Sequence, residues 1–531
     1  MMKCSFRSVL GGLTRACVCG VLTGTCTAVI IMLYKICAKA VITFSEYGYG
    51  FLRKHMYGIP AILIIFVGIA AILAYIYRKN PSLQGGGIPT SIGILRGKIS
   101  FTWFKTLIGT FALSLITFLI GVPLGNEGPS VQMGTAVGRG VTCAFPQSQR
   151  ALDRYAMTGG ACAGFSSATG APISGILFTI EEAHGQFSPL VLLVCAVSVF
   201  TARVVNELLS PICGVSVGLF PDFQPITLPA KDIWLPIVVG VTIGLFSVAL
   251  LKYYQILLKP IQRLLQRGHQ VLLLCIIFTL SMIAGLFSSA CISTGHELVL
   301  DLFIHTPLMP LLAILAVRAT LTLGANAVGI TGGMFVPLLT LGAVCAAILA
   351  AILQLTVGLS AEDTVLVLLL GITACIAGTM KMPLTAMVFA VEALSCHTNI
   401  LAVIIVTVTA FGMTELFGVR SVNEHVLDGK LETLHAGKTA AIYDTFVTVQ
   451  PSSFAVGKEI RDILWPANLF VLSIQHDPTL QAQTGELANK KLLAGDILHV
   501  RYTTFDEAET KQQLIAIVGA QQYAETQIDS I

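Results

Sequence analysis

The sequence predicts an all-α polytopic membrane protein of tilted and broken helices, followed by a small C-terminal α/β domain. Of its 531 residues, 55% are hydrophobic and only 11% are charged, whereas a soluble protein of this size carries about a quarter charged residues. Long uncharged runs recur along most of the chain, and Gly and Pro interrupt several of them. A polar stretch with alternating apolar residues follows the last of these runs.

The apolar runs are long enough to cross a bilayer. A span needs about 20 apolar residues, and the chain holds roughly ten or more candidate segments, in agreement with a mean hydropathy of +0.83. Examples are Ile59–Tyr77, Trp234–Leu251, Val271–Leu286 and Leu308–Ala316. Runs that are too short or too broken to span alone are typical of discontinuous helices packed inside protein. The first run, Cys17–Tyr34, is interpreted as a span rather than a signal peptide because more apolar segments follow it.

The distribution of charge indicates the compartment. Basic residues precede the first run and follow the second, which places both groups in the cytoplasm by the positive-inside rule. The net charge of +4 is small for this length and gives no reason to expect nucleic acid as a partner. We expect a multi-pass protein of the plasma or inner membrane, in contact with the lipid bilayer, whose C-terminal domain is cytoplasmic.

The 14 cysteines all lie before the polar tail, and their spacing matches no zinc site. Small apolar helix residues are the best interpretation of them, so we expect no disulfide, metal or cofactor. Composition changes near Leu431, where charged residues return. We therefore place a membrane domain at residues 1–432 and a soluble domain at 440–525.

The soluble domain is expected to be α/β. Its predicted strands are Phe446–Val449, Leu469–Gln475 and Ile497–Thr503, and its predicted helices are Ala455–Leu464 and Glu507–Val518. The pattern SFAVGKEIRDILWPANLFVLSIQ…LLAGDILHVRYTT resembles the TrkA-C, or RCK-C, domain of potassium-transport regulator subunits. That resemblance implies a regulatory domain that dimerises and senses a small cytosolic ligand.

The membrane part contains an internal repeat. Ala171–Glu182 (APISGILFTIEE) aligns without gaps with Met382–Ala393 (MPLTAMVFAVEA). A second pair, GNEGPSVQMG and GMFVPLLTLG, aligns Gly125 with Gly333 at nearly the same offset. Two halves of this kind often form an inverted repeat with the substrate site at their interface.

Three glycine-rich segments interrupt apolar runs, and they are Gly85–Thr90 (GGGIPT), Gly125–Ser130 (GNEGPS) and Gly332–Pro337 (GGMFVP). Gly allows close backbone approach, and Pro suits the first turn of a helix. Each segment therefore predicts a loop that leads into a helix N-terminus, where unpaired N–H groups and the helix dipole favour an anion. Together they predict a site at which backbone amides hold a dehydrated anion.

In order and spacing, the three segments resemble the motifs GSGIP, GREGP and GxFxP of the CLC family of chloride channels and chloride–proton antiporters. The resemblance runs from about residue 15 to 430 and includes the helices of the repeat. It implies a CLC-like inverted repeat of two antiparallel halves, in a homodimer with one pathway per subunit. Chloride or another small inorganic anion, together with protons, is the implied substrate, and the protein is not expected to be an enzyme.

Two glutamates carry the expected gating and proton transfer. Glu127 is a carboxylate in a glycine loop inside the membrane, which is costly and by default functional; the resemblance implies that it is the external gate. Glu182 matches the inner proton-transfer Glu of the family's exchangers. Its neighbour Glu181 has a counterpart in Glu392, whereas Ala393 stands opposite Glu182. We therefore interpret Glu181 as structural and Glu182 as functional.

The predicted anion-binding residues include departures from the family pattern. They are Gly86, Gly87, Ile88, Gly128, Met334, Phe335 and Asn423. The central-site Ser of the first motif is replaced by Gly86, and Asn423 stands where an anion-contacting Tyr is expected. The Arg of the second motif is Asn126, as in the fluoride-exporting branch.

Several functions stay open. The leading prediction is chloride–proton antiport; a fluoride–proton exporter is favoured by Asn126, and a passive chloride channel is disfavoured by Glu182. A potassium-transport component is indicated only by the tail and lacks a TVGYG-like filter. The pattern GVSVG (Gly214–Gly218) spells a nucleophile elbow around Ser216, but no α/β-hydrolase context surrounds it.

Overall fold

The computed structural model describes residues 2–144, 151–185, 188–220, 223, 225–302, 308–435, 439–476, 487–505, 507–519 and 525–530. Within these ranges ten helical segments are long and apolar enough to cross a membrane. Short apolar helices lie between them, and a small sheet follows. The predicted fold class, a polytopic bundle of broken helices with a small C-terminal α/β domain, is confirmed.

Seventeen described helices form the membrane part. In chain order they are α1 (Met2–Lys54), α2 (Ile59–Lys79), α3 (Gly87–Leu95), α4 (Trp103–Ile120), α5 (Glu127–Cys143), α6 (Asp153–Thr169), α7 (Pro172–Phe178), α8 (Pro189–Cys213), α9 (Trp234–Gln266), α10 (Gln270–Phe287), α11 (His296–Leu302), α12 (Leu308–Val328), α13 (Phe335–Val357), α14 (Ala361–Met380), α15 (Pro383–Glu392), α16 (Ile400–Leu416) and α17 (Val422–Leu434).

The order of helix packing occurs twice along the chain. In the first half α1 packs against α8, α4 against α5, α5 against α6, and α6 against α8. In the second half the helices eight places later repeat these contacts: α9 packs against α16, α12 against α13, α13 against α14, and α14 against α16. The repeat that two aligned pairs of short segments predict therefore includes whole halves, in which α1–α8 match α9–α16.

The two halves meet through reciprocal backbone hydrogen bonds. The Gly125 N–H donates to the Gly333 carbonyl and the Gly333 N–H donates to the Gly125 carbonyl, both at 2.7 Å. These two glycines occupy matched positions of the repeat. When two matched residues each donate a hydrogen bond to the other, the contact has two-fold symmetry. The halves are therefore related by an approximate two-fold axis, as expected of an inverted repeat.

A second reciprocal contact joins α7 and α15. The Glu181 carboxylate accepts from the amide and the hydroxyl of Thr385, at 2.9 and 2.8 Å, in the first turn of α15. The Glu392 carboxylate accepts from the amide and the hydroxyl of Ser174, at 2.8 and 2.7 Å, in the first turn of α7. Both helices lack a cap from their own N-cap side chain, so each half supplies the anionic cap that the other needs. This contact gives Glu181 a structural role and accounts for its counterpart Glu392 in the other half.

Two arginines of the membrane part donate to carbonyl groups at the ends of helices and turns. Arg318 is fully buried and donates to three carbonyls between residues 290 and 293. Arg203 donates to the Gly170 carbonyl, which ends α6. These contacts satisfy backbone acceptors that would otherwise be unpaired away from water.

In its described residues the tail is a four-stranded antiparallel sheet of order β2-β3-β1-β4 with one helix. Its elements are β1 (Ala441–Thr448), β2 (Leu469–Gln475), β3 (Ile497–Thr504), α18 (Glu507–Val518) and β4 (Glu525–Ser530). The predicted helix Ala455–Leu464 is wrong, because this segment forms only a short 3-10 turn at Ile460–Asp462. Gly457 has φ +80 there, and its N–H donates to Leu492 at 2.8 Å, so the segment bonds across the domain rather than within itself.

The segment that follows this turn contacts the membrane part. The Tyr155 hydroxyl of α6 donates to the Asp462 carbonyl at 2.8 Å and accepts from the Leu464 N–H at 3.1 Å. The neighbouring Arg154 guanidinium donates to the Leu464 carbonyl at 3.3 Å and to the Leu95 carbonyl at 3.1 Å. The tail therefore lies against the C-terminal end of α3 and the start of α6.

The reciprocal caps predict two equal losses of stability. Replacing either Glu181 or Glu392 by Ala leaves the first-turn donors of the opposite helix unpaired, and each change is expected to lower the free energy of unfolding by about 1–3 kcal/mol. Thermal unfolding of the purified protein in detergent measures both losses.

Glu207→Ala is the control for this pair. Glu207 forms an exposed ion pair with Arg203, and such pairs contribute about 1 kcal/mol or less. A large loss for only one of Glu181 and Glu392 would contradict the symmetric capping.

Candidate functional site

The N-termini of α3, α5 and α13 meet at the interface of the two halves. A Cβ atom at Gly87 would overlap the Gly128 carbonyl, and a Cβ at Gly128 would lie 2.7 Å from the Gly333 Cα. Real side chains do not tolerate such distances, so these three backbones touch only because Gly occupies each position. The three glycine-rich loops of the sequence thus form one contiguous site.

The helices at this site begin without side-chain caps. Within the described part of the chain, the N-cap residues Gly86, Asn126 and Met334 make no capping hydrogen bond through a side chain. The first-turn amides and the positive ends of three helix dipoles therefore face a common region. The structure brings together six of the predicted anion-binding residues, all of them buried: Gly86, Gly87, Ile88, Gly128, Met334 and Phe335. Their contact with an anion stays a prediction.

Glu127 is the first residue of α5 and is fully buried at this meeting point. Its carboxylate lies over Gly125, where a Cβ would collide with Oε2. The nearby backbone groups are its own amide and that of Val336 in α13, yet neither carboxylate oxygen has a hydrogen-bond partner of good geometry among the residues that the structure describes. A buried, unpaired carboxylate is expensive, which makes a purely structural role for Glu127 a poor explanation.

Lys35 is a residue of this region that the sequence interpretation missed. It lies on α1, interacts electrostatically with Glu127, and donates to the carbonyls of Ser216 at 2.9 Å and Val217 at 3.3 Å. A lysine directly after the apolar run Cys17–Tyr34 is the sequence signal that could have found it. It supplies positive charge in a site whose second motif carries Asn126 instead of Arg.

Glu182 lies in a π-helical turn, Thr179–His184, that continues α7. The turn exposes 9% of Glu182, and Arg96 donates to its backbone carbonyl at 2.7 Å. Single π-helical turns occur frequently at functional sites because they re-aim side chains. The matched helix α15 ends at Glu392 without such a turn, so the two halves differ structurally at the position where their sequences differ.

Asn423 joins Glu182 to the N-terminus of α17. Its Nδ2 donates to Glu182 Oε1 at 3.0 Å, and both side chains are buried. Ser421 caps the same helix by accepting from the amide of Glu424. The structure therefore places Asn423 against the inner carboxylate, and its predicted contact with an anion stays a prediction.

The chain is similar to a known family and to several bacterial transport proteins. The family described as voltage gated chloride channel matches residues 67–415. The H(+)/Cl(-) exchange transporter ClcA of Klebsiella pneumoniae subsp. pneumoniae is 27% identical over 403 residues, which cover 73% of this chain and 82% of the relative. ClcA of Salmonella typhimurium is 28% identical over 374 residues, which cover 68% and 76%.

Two solved structures share the fold. A slow cyanobacterial Cl-/H+ antiporter superimposes with a TM-score of 0.71 and 21% identity, over 78% of this chain and 98% of that chain. A CLC-type fluoride/proton antiporter superimposes with a TM-score of 0.62 and 18% identity, over 76% of this chain and 96% of that chain. The family match runs through both halves of the repeat and includes all three glycine-rich loops, and the chain belongs to the CLC family of voltage-gated chloride channels.

Proposed function

We propose that the protein exchanges chloride or a similar small anion for protons across a cell membrane. The observation that carries the proposal is the unpaired, buried Glu127 carboxylate where three uncapped helix N-termini meet. An ionised carboxylate and an inorganic anion compete for the same amides. Protonation of Glu127 removes its negative charge from these N-termini and admits the anion, so anion and proton movement depend on each other.

The second buried carboxylate, Glu182, is the proposed inner proton-transfer residue. It is held by Asn423 and lies in a turn that the other half of the repeat lacks. A passive channel does not need this carboxylate, so its presence favours exchange. The similar bacterial proteins are named H(+)/Cl(-) exchange transporters, which also supports exchange over a passive channel.

Fluoride is the second candidate anion. Asn126, the N-cap of α5, stands beside Glu127 where the family motif has Arg. Replacing a cation by an amide lowers the positive potential at the site and lowers the attraction for every anion. Discrimination then depends more on hydrogen bonding, which favours small anions with concentrated charge.

We also propose that residues 1–432 form the transport domain of a homodimer and that 440–525 form a cytoplasmic, TrkA-C-like regulatory domain. The contact of Asp462 and Leu464 with α6 supports a regulatory role, because the same contact includes Arg154, which bonds to Leu95 of α3. The next residue along the chain, Arg96, donates to the backbone carbonyl of Glu182. A small cytosolic ligand that moves the tail would shift the backbone of the turn that carries Glu182 through this short route.

Reconstitution into liposomes tests the proposed function. The protein is expected to move protons against their gradient when an inward or outward chloride gradient is imposed, and fluoride and nitrate are tested in the same way. Anion flux without proton movement would replace the exchanger by a channel. Fluoride flux that far exceeds chloride flux would select the fluoride exporter.

Glu127→Gln is expected to abolish proton coupling and to leave anion flux, because a neutral amide cannot carry a proton through the cycle. Proton uptake and anion efflux from the same liposomes measure both effects. Glu432→Gln, at an exposed position of α17, is the matched control and should behave as wild type. Uphill proton pumping by the Glu127 variant would show that this residue is not the gate.

Glu182→Gln is expected to remove proton movement while anion binding stays nearly unchanged. The neighbouring variant Glu181→Gln is the control, since Glu181 caps α15 and its replacement should lower stability but keep coupling. The two variants are compared by proton flux in liposomes and by isothermal titration of chloride in detergent. Full proton coupling in the Glu182 variant would assign that residue a structural role only.

A further inference from the structure

The site lacks a side-chain donor at the first motif. Gly86, the N-cap of α3, stands where the family motif has Ser, and no hydroxyl points from this position. A Cβ atom built on Gly86 would lie 3.2 Å from the Cδ of Pro89 and 3.4 Å from the Nδ2 of Asn326. The space that a serine side chain would enter is therefore bordered by the side-chain amide of Asn326.

Asn326 lies in the last turn of α12 and is 4% exposed. Its Oδ1 accepts from the hydroxyl of the fully buried Tyr254 on α9, at 2.9 Å. With Oδ1 engaged in this way, Nδ2 is the atom that faces Gly86. Nδ2 has no hydrogen-bond partner among the residues that the structure describes.

A buried amide with two unpaired N–H groups requires an acceptor, because leaving a donor unsatisfied away from water costs free energy. The neighbouring first-turn amides of Gly87 and Ile88 are donors as well and have no side-chain cap. A position surrounded by donors suits a ligand that only accepts, and a small inorganic anion is such a ligand.

We propose that the Asn326 amide is the side-chain donor of the central anion site, in the space that Gly86 leaves open, and that Tyr254 is the residue that positions it. This inference rests on the proposed function. The ligand class is a halide or nitrate, because the Asn326 amide is a neutral, directional donor that adds a hydrogen bond without adding charge. It also supplies a differential contact on which selectivity can depend, whereas backbone amides alone would discriminate weakly.

Titration of chloride and nitrate into the purified protein tests this contact. Loss of one hydrogen bond to a charged ligand weakens binding by about tenfold or more, and this is expected for Asn326→Leu. Asn326→Asp keeps the shape of the side chain but presents acceptors instead of donors, and it is expected to weaken binding further. Tyr254→Phe releases the amide and is expected to change the ratio of chloride to nitrate affinity with a smaller loss.

Asn206→Leu is the control for removal of a buried amide. Asn206 is 2% exposed on α8, and its amide already donates to Ser167 at 2.8 Å, so its loss should leave both affinities unchanged. The combination of Gly86→Ser with Asn326→Leu is the rescue: a hydroxyl placed in the same space is expected to recover part of the lost affinity. Rescue is not expected if Asn326 serves packing alone.

The outcomes separate this inference from the proposed function. A wild type that binds no anion and moves none in liposomes would refute the proposed function itself. If the wild type binds chloride, and Asn326→Leu and Asn326→Asp have the same chloride affinity and the same chloride-to-nitrate ratio, only the role of Asn326 is overturned. Weakened binding in both variants, with recovery on adding the serine, supports the assignment.

Discussion

The fold depends on one short contact, the reciprocal backbone hydrogen bonds between Gly125 and Gly333 at 2.7 Å. This contact brings the loop before α5 against the loop before α13, so helix N-termini from both halves face the same region. Its geometry requires the absence of side chains at Gly128 and Gly87 as well, because a Cβ atom at either position would collide with a neighbouring backbone. Close approach of three backbones is therefore the condition on which an amide-lined site depends.

A site built in this way holds groups that the protein itself does not satisfy. The Glu127 carboxylate and the Asn326 amide are both buried and unpaired among the described residues, one as an acceptor and one as a donor. The Glu181 carboxylate, by contrast, accepts from the first turn of α15, and the Arg318 guanidinium donates to three carbonyls. Unpaired hydroxyl oxygens also occur on other helices, for example at Thr23 and Ser281, but a buried carboxylate costs far more free energy to leave unpaired. An unpaired carboxylate and an unpaired amide donor at one site are better explained by a ligand that binds and leaves than by a defect of packing.

The sequence predicts the parts of this architecture that rest on local patterns. Gly-Pro loops predict helix N-termini, and the aligned pairs predict an inverted repeat that also identifies Glu181 as structural. Local sequence patterns do not predict contacts between distant segments. No such pattern indicates that Asn326 borders Gly86 or that Asn423 bonds to Glu182. Helical spacing also predicts a helix at Ala455–Leu464, where bonding to the distant Leu492 overrides the local preference.

The central claim is that an anion and the Glu127 carboxylate compete for one set of amides. Isothermal titration of chloride in buffers of different ionisation enthalpy measures it directly, because displacement of an ionised carboxylate that then protonates takes protons from the buffer. We expect uptake of up to about one proton per bound anion in the wild type, at a pH where Glu127 is ionised, and none in Glu127→Gln. Equal proton uptake by the two proteins would contradict the competition. So would chloride binding by the wild type that takes up no proton at every pH tested from about 5 to 9.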